Sequence, residues 1–196
     1  MRRLVGLFAG SMVLLSVRAG LGQTPPAPPP PSRPPPTTQT PQIDCSWLTV
    51  DTVAKTVTLQ LIAGLTGLNG ALNFNGFRDG GLTLSVPLSW NVVLHFTNHD
   101  GDLPHSAEII DSVKPIPAGP LDAAFPRAMT IRLSQGIESG GEDDIRFVAN
   151  KAGSYLIFCA VPGHGLAGMW IRLHVSRTDK RPTLSATPAA GGGEGP

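Results

Sequence analysis

Between residues 43 and 177 apolar and polar side chains alternate in short runs broken by turn residues. In 91–97, Val92, Leu94 and Phe96 fall on one face and Val93, His95 and Thr97 on the other. In 169–175, Met169, Ile171, Leu173 and Val175 share a face opposite Trp170, Arg172 and His174. A period of two belongs to half-buried strands. Strands are expected at 46–50, 56–62, 71–74, 82–86, 91–97, 106–110, 129–134, 144–149, 154–159 and 169–175. Turns rich in Asn, Asp and Gly separate nearly all of them, as at Asn69-Gly70, Asn75-Gly76, Asp79-Gly80-Gly81 and Asp100-Gly101-Asp102. One short helix is expected, at 120–127. Many short strands in series predict an all-β sandwich or barrel.

Composition changes at both ends. Met1-Arg2-Arg3, the apolar run from Leu4 to Val17 and the small residues after Arg18 have the form of a signal peptide over 1–22, so the chain is expected to be exported, to a periplasmic or extracellular location. The apolar run is shorter than the roughly 20 residues that span a bilayer, which makes cleavage the preferred expectation over a retained membrane anchor. Residues 23–42 are Pro- and Thr-rich and read as a semi-rigid linker; 178–196 is polar, then Pro-, Ala- and Gly-rich, and is expected to be a disordered tail. One domain of ordinary size remains, 43–177. Loss of Arg2, Arg3 and Arg18 with the signal leaves 12 basic and 14 acidic residues, a formal −2, and no basic stripe suggests nucleic acid.

The last two expected strands carry the chemistry. Cys159 is followed by His164 after four residues and by Met169 after four more, with Pro162, Gly163, Gly165 and Gly168 allowing the segment to fold back on itself. A thiolate, an imidazole and a thioether on one loop suit copper, since Cys and Met select Cu(I) and imidazole accepts Cu(II). A blue-copper centre needs a second His. Of the five histidines, His95 and His174 lie on strand faces opposite the apolar sets, and His99 sits in a polar turn. His105, after Leu103-Pro104 at the start of an apolar strand, is the best remaining candidate. Two His and one Cys then make the trigonal set, with Met169 a weak axial partner for a single type 1 copper.

Asn73-Phe74-Asn75-Gly76, Leu103-Pro104-His105-Ser106-Ala107 and the run Phe158 to Trp170 together resemble the cupredoxins, most closely the sulfocyanins, and share the ligand-loop spacing of rusticyanin. The resemblance covers about 54–175. It implies a Greek-key β-sandwich, a type 1 copper held by His105, Cys159, His164 and Met169, and electron transfer. Ser106, Asn73 and Asn75 are candidates for fixing the site or donating to the Cys159 sulfur, although Asn75-Gly76 reads equally well as a plain turn. The edge of His164, amid Pro162, Leu166 and Ala167, would suit transient redox partners such as a cytochrome or terminal oxidase.

Other classes fare less well. No His-x-His pair is present to bind the extra coppers of a copper oxidase or nitrite reductase, so no enzyme activity is expected. A copper-binding or storage module stays open as the alternative, although outside the signal only Met129 and Met169 add thioethers. Cys45 is expected to be free, buried or paired between chains, because a disulfide to Cys159 would remove a ligand. The protein is expected to be a monomer.

Overall fold

The computed structural model describes residues 41–187; the signal peptide and nearly all of the linker expected from the sequence lie outside the described residues. Among the described residues there are nine strands: β1 Leu48–Asp51, β2 Thr56–Ala63, β3 Leu82–Pro87, β4 Asn91–Asn98, β5 Glu108–Asp111, β6 Glu142–Val148, β7 Gly153–Phe158, β8 Trp170–Ser176 and β9 Thr183–Ala186. They form two sheets, ordered β1-β2-β4-β6 and β5-β7-β8-β3-β9. From β2 to β7 the chain changes sheet at every step. The pairs β2–β4 and β3–β8 are parallel while the remaining neighbours are antiparallel. Among the described residues no helix is long and apolar enough to cross a membrane.

Alternation does what the sequence predicts. Val57, Leu59 and Leu61 of β2, Val92, Leu94 and Phe96 of β4, Ile145 and Phe147 of β6, and Ile171, Leu173 and Val175 of β8 are buried in one cluster between the sheets. The intervening positions face outward, so His95 pairs with Asp144 across the β4–β6 ladder at 2.7 Å and His174 is exposed.

Four expectations are corrected. No strand forms at 71–74 or 129–134; only isolated bridges at Phe74 and Met129 remain. Left-handed residues bound the first run, Ala71 at φ 65° and Asn75 at φ 53°, and interrupt the second, Arg132 at φ 55°, and a strand cannot continue through that conformation. The helix expected at 120–127 is absent as well. Its backbone donors serve β5 instead: Leu121 N–H donates to Glu108 Oε2 at 3.2 Å and Ala124 N–H to the Ile109 carbonyl at 2.8 Å. Lastly, the tail expected to be disordered from Thr178 contains β9, which pairs antiparallel along β3 and packs Leu184 against the core. An open edge on β3 presents a row of unpaired backbone groups, and β9 satisfies them.

Glu108 is fully buried and its Oε1 has no hydrogen-bond partner. Burial pushes its carboxyl above the ordinary 4.5; the Leu121 N–H opposes the shift and nearby Asp122 adds to it. A carboxyl raised in the folded state stabilises the fold fully below its unfolded value, and that contribution is lost as pH climbs through the folded value. Thermal unfolding followed from about pH 4 to about pH 8 is expected to show stability draining away above the ordinary Glu range. Glu108→Gln flattens that part of the profile; an unchanged profile would remove Glu108 as its source.

Candidate metal centre

Three of the four residues singled out from the sequence come from one hairpin. Cys159 follows the last residue of β7, Met169 precedes the first residue of β8, and Phe158 and Trp170 are paired in the ladder. The Cys159 N–H donates to the Met169 carbonyl at 3.0 Å, and the Met169 N–H to the His164 carbonyl at 3.0 Å, so the three backbones are tied directly together. Between them the loop closes through His164 N–H to Val161 O and Ala167 N–H to Gly163 O, with Gly163 at φ 87° and Gly168 at φ 96°. Those angles favour glycine. Gly165 is needed for another reason: a Cβ there would lie 2.9 Å from the Phe158 ring.

His105 arrives from the other side. It lies three residues before β5 and exchanges both backbone hydrogen bonds with Ile137, at 3.1 and 2.7 Å. Gly136 packs against that bridge with φ 79°, and a Cβ on it would lie 2.9 Å from the His105 nitrogen and the Pro104 carbonyl carbon. Gly136→Ala is therefore expected to cost about 1–3 kcal/mol in denaturant unfolding and to weaken metal retention by moving His105. Unchanged stability and retention would show that the bridge tolerates displacement.

The geometry converges on one point. Cys159 Sγ lies 3.5 Å from His164 Nδ1 and 3.9 Å from His105 Nδ1, and the three donor atoms lie within 4.8 Å of one another. First-row ions bond such donors at about 2.0–2.3 Å, and three donors placed trigonally at that range stand about 3.5–4 Å apart. Cys159, His105 and Met169 are buried while His164 is half-exposed. Exposed Pro162, Leu166 and Ala167 flank His164 in the loop.

Burial holds the three side chains in their neutral forms. Burial pushes the Cys159 thiol up, against hydrogen bonds from the Ser106 and Val161 N–H groups that favour the thiolate. The Ser106 N–H stands 3.4 Å from Sγ, and its hydroxyl donates to the Leu133 carbonyl at 2.8 Å while accepting from the Ala160 N–H. Burial lowers the pKa of both His105 and His164, keeping the imidazoles neutral with a lone pair available. Asp100, 2.9 Å from His105 Nε2, opposes the shift of His105. Neutral imidazoles are the donor state a metal requires, while the thiol would have to give up its proton to bind one.

The other sequence candidates separate cleanly. Ser106 reaches the sulfur; Asn73 and Asn75 do not. Asn73 Nδ2 donates to the carbonyls of Thr66 and Leu68, and Asn75 bridges Gln60 and Ile62 of β2. Asn75-Gly76 forms the two-residue turn between Phe74 and Phe77, with φ of 53° and 79°. Cys45 is free and exposed.

The family model described as the Sulfocyanin (SoxE) domain matches residues 45–184. The chain belongs to the sulfocyanin family. A sulfocyanin from Sulfolobus acidocaldarius is 27% identical over 135 residues, which cover 65% of this chain and 67% of that protein. Among solved structures, rusticyanin from Thiobacillus ferrooxidans is similar at a TM-score of 0.47 and 25% identity, over 67% of this chain and 88% of its own. Auracyanin A, a blue copper protein from Chloroflexus aurantiacus, is similar at a TM-score of 0.45 and 19% identity, over 62% of this chain and 99% of its own. Sulfocyanins are cupredoxins, whose cofactor is one type 1 copper ion. The two imidazoles, one thiol and buried Met169 of this member fit that ion.

Asp100 was legible in the sequence only as part of a turn. Its position five residues before His105, in the same polar loop, is the signal that could have found it.

Proposed function

We propose that this sulfocyanin is a mononuclear blue-copper electron carrier, with His105, Cys159 and His164 as trigonal ligands and Met169 as the weak axial one, working in an extracytoplasmic redox chain. The observation that carries the reading is the convergence of Cys159 Sγ with the Nδ1 atoms of His105 and His164. When bound, copper supplies a one-electron Cu(II)/Cu(I) couple.

The chain's own residues do the rest. Cys159 and Met169 are locked to paired strand ends and His105 to the Ile137 bridge, so the donors keep their positions in both oxidation states. The Ser106 N–H spreads the negative charge of the thiolate and favours the reduced state, as does the apolar packing around Cys159 and Met169. His164 is the half-exposed ligand, and its edge, among Pro162, Leu166 and Ala167, offers a redox partner a small contact area. An electron carrier of this kind performs no substrate chemistry of its own.

Loading the full chain with Cu(II) tests this. One copper per chain, an intense visible absorption and bleaching on reduction are expected. A colourless, redox-silent copper complex would leave a storage role instead, and several coppers per chain would indicate an enzyme.

A further inference from the structure

Asp100 lies two residues past the end of β4, outside the hairpin that carries three of the donors. Its Oδ2 stands 2.9 Å from His105 Nε2, and the two side chains are 7% and 0% exposed. The other carboxylate oxygen is committed: Oδ1 accepts from the Asp102 N–H at 3.0 Å and the Leu103 N–H at 3.3 Å. Asn98 holds the same turn, accepting from the Asp100 N–H and donating to the Leu103 and Ile137 carbonyls. Gly64 closes the last side, since a Cβ there would come within 2.7 Å of the Asp100 Cβ. The carboxylate has one orientation.

A carboxylate only accepts hydrogen bonds. Nε2 of His105 must then carry the ring proton, and Nδ1, the atom facing Cys159 Sγ at 3.9 Å, is left with its lone pair. We propose that Asp100 is a positioning residue that locks His105 in the Nε2–H tautomer and sets a buried negative charge one ring away from the metal. This rests on the copper reading of the centre. Two consequences follow: the ligand is presented in its metal-binding form before any metal arrives, and the added negative charge stabilises Cu(II) over Cu(I), counteracting the Ser106 N–H.

Asp100→Asn discriminates because it is nearly isosteric yet reverses one polarity. With Oδ1 still serving the Asp102 and Leu103 N–H groups, the new Nδ2 turns a donor toward Nε2. His105 then accepts at Nε2 and carries its proton on Nδ1, where copper would bind.

The test uses the full chain. Nitrogen-15 NMR of the copper-free unaltered protein is expected to show His105 protonated at Nε2, and of D100N at Nδ1. Copper-loaded D100N is expected to lose its metal to a chelator roughly 10–100-fold faster and to show a reduction potential shifted positive. A merely structural role would move neither the tautomer nor the potential. An Nδ1–H tautomer in the unaltered protein overturns the proposal without any variant. So does a folded D100N whose tautomer, potential and copper loss match the parent, and in both cases a coloured parent keeps the copper reading. A colourless copper-loaded parent overturns that reading and this proposal together.

Discussion

Cys159→Ser is expected to abolish the intense visible absorption of the copper-loaded protein completely. The band requires a thiolate bonded to Cu(II), and Cys159 is the only sulfur nucleophile in the converging donor set. A serine hydroxyl is hard, poorly acidic and a weak match for Cu(I). The substitution is nearly isosteric in a fully buried position, so the sandwich is expected to persist while the colour vanishes. Cys45 is exposed and lies near the start of the described chain, outside the donor cluster. Absorption and electron paramagnetic resonance spectra of the variant with one equivalent of Cu(II) make the measurement. Surviving colour would remove Cys159 from the ligand set.

His105→Ala carries the next largest effect. It deletes one of two imidazoles and leaves the buried Asp100 carboxylate without its partner. The orphaned hydrogen bond is expected to cost about 1–3 kcal/mol of stability, and copper affinity is expected to fall by more than the roughly 10- to 100-fold that a ligand's outer partners command. His95→Ala, His99→Ala and His174→Ala provide the comparison. His95 is engaged with Asp144 on the outer face, while His99 and His174 are exposed. These three are expected to titrate with copper like the parent. If one of them loses the colour and His105→Ala keeps it, the fourth donor has been misassigned.

The strands were legible where alternation runs uninterrupted. In β4 and β8 apolar residues recur at every second position, and burial follows that pattern from Val92 to Phe96 and from Ile171 to Val175. Where the pattern is short the backbone decides otherwise. The runs 71–74 and 129–134 contain plausible strand residues, yet left-handed angles at Ala71 and Asn75 bound the first and one at Arg132 interrupts the second. Residues 120–127 illustrate the complementary failure, because the donors that a helix would satisfy internally are taken by Glu108 and Ile109. β9 was missed because Leu184 is its one residue packed on the core, and four residues with one inward apolar side chain carry no readable period.

The metal centre divides along the same line. The spacing of Cys159, His164 and Met169, with Pro162, Gly163, Gly165 and Gly168 able to turn the chain back, was enough to predict a tight loop carrying all three side chains. Strand parity was enough to turn Met169 inward and His95 and His174 outward. Elimination by the same parity, together with the family resemblance, pointed to His105, but no such rule set its distance to Cys159 or brought in Asp100. His105 meets Cys159 across 54 residues of sequence, and Asp100 meets His105 only because the polar turn after β4, held by Asn98 and seated on Gly64, folds back over it. Local periodicity acts through neighbouring residues, so the sequence by itself determined the long alternating strands and the hairpin loop that carries Cys159, His164 and Met169. The approach of His105 to Cys159 and the 2.9 Å contact of Asp100 with His105 depend on how the loops fold against one another, and only the tertiary structure decided them.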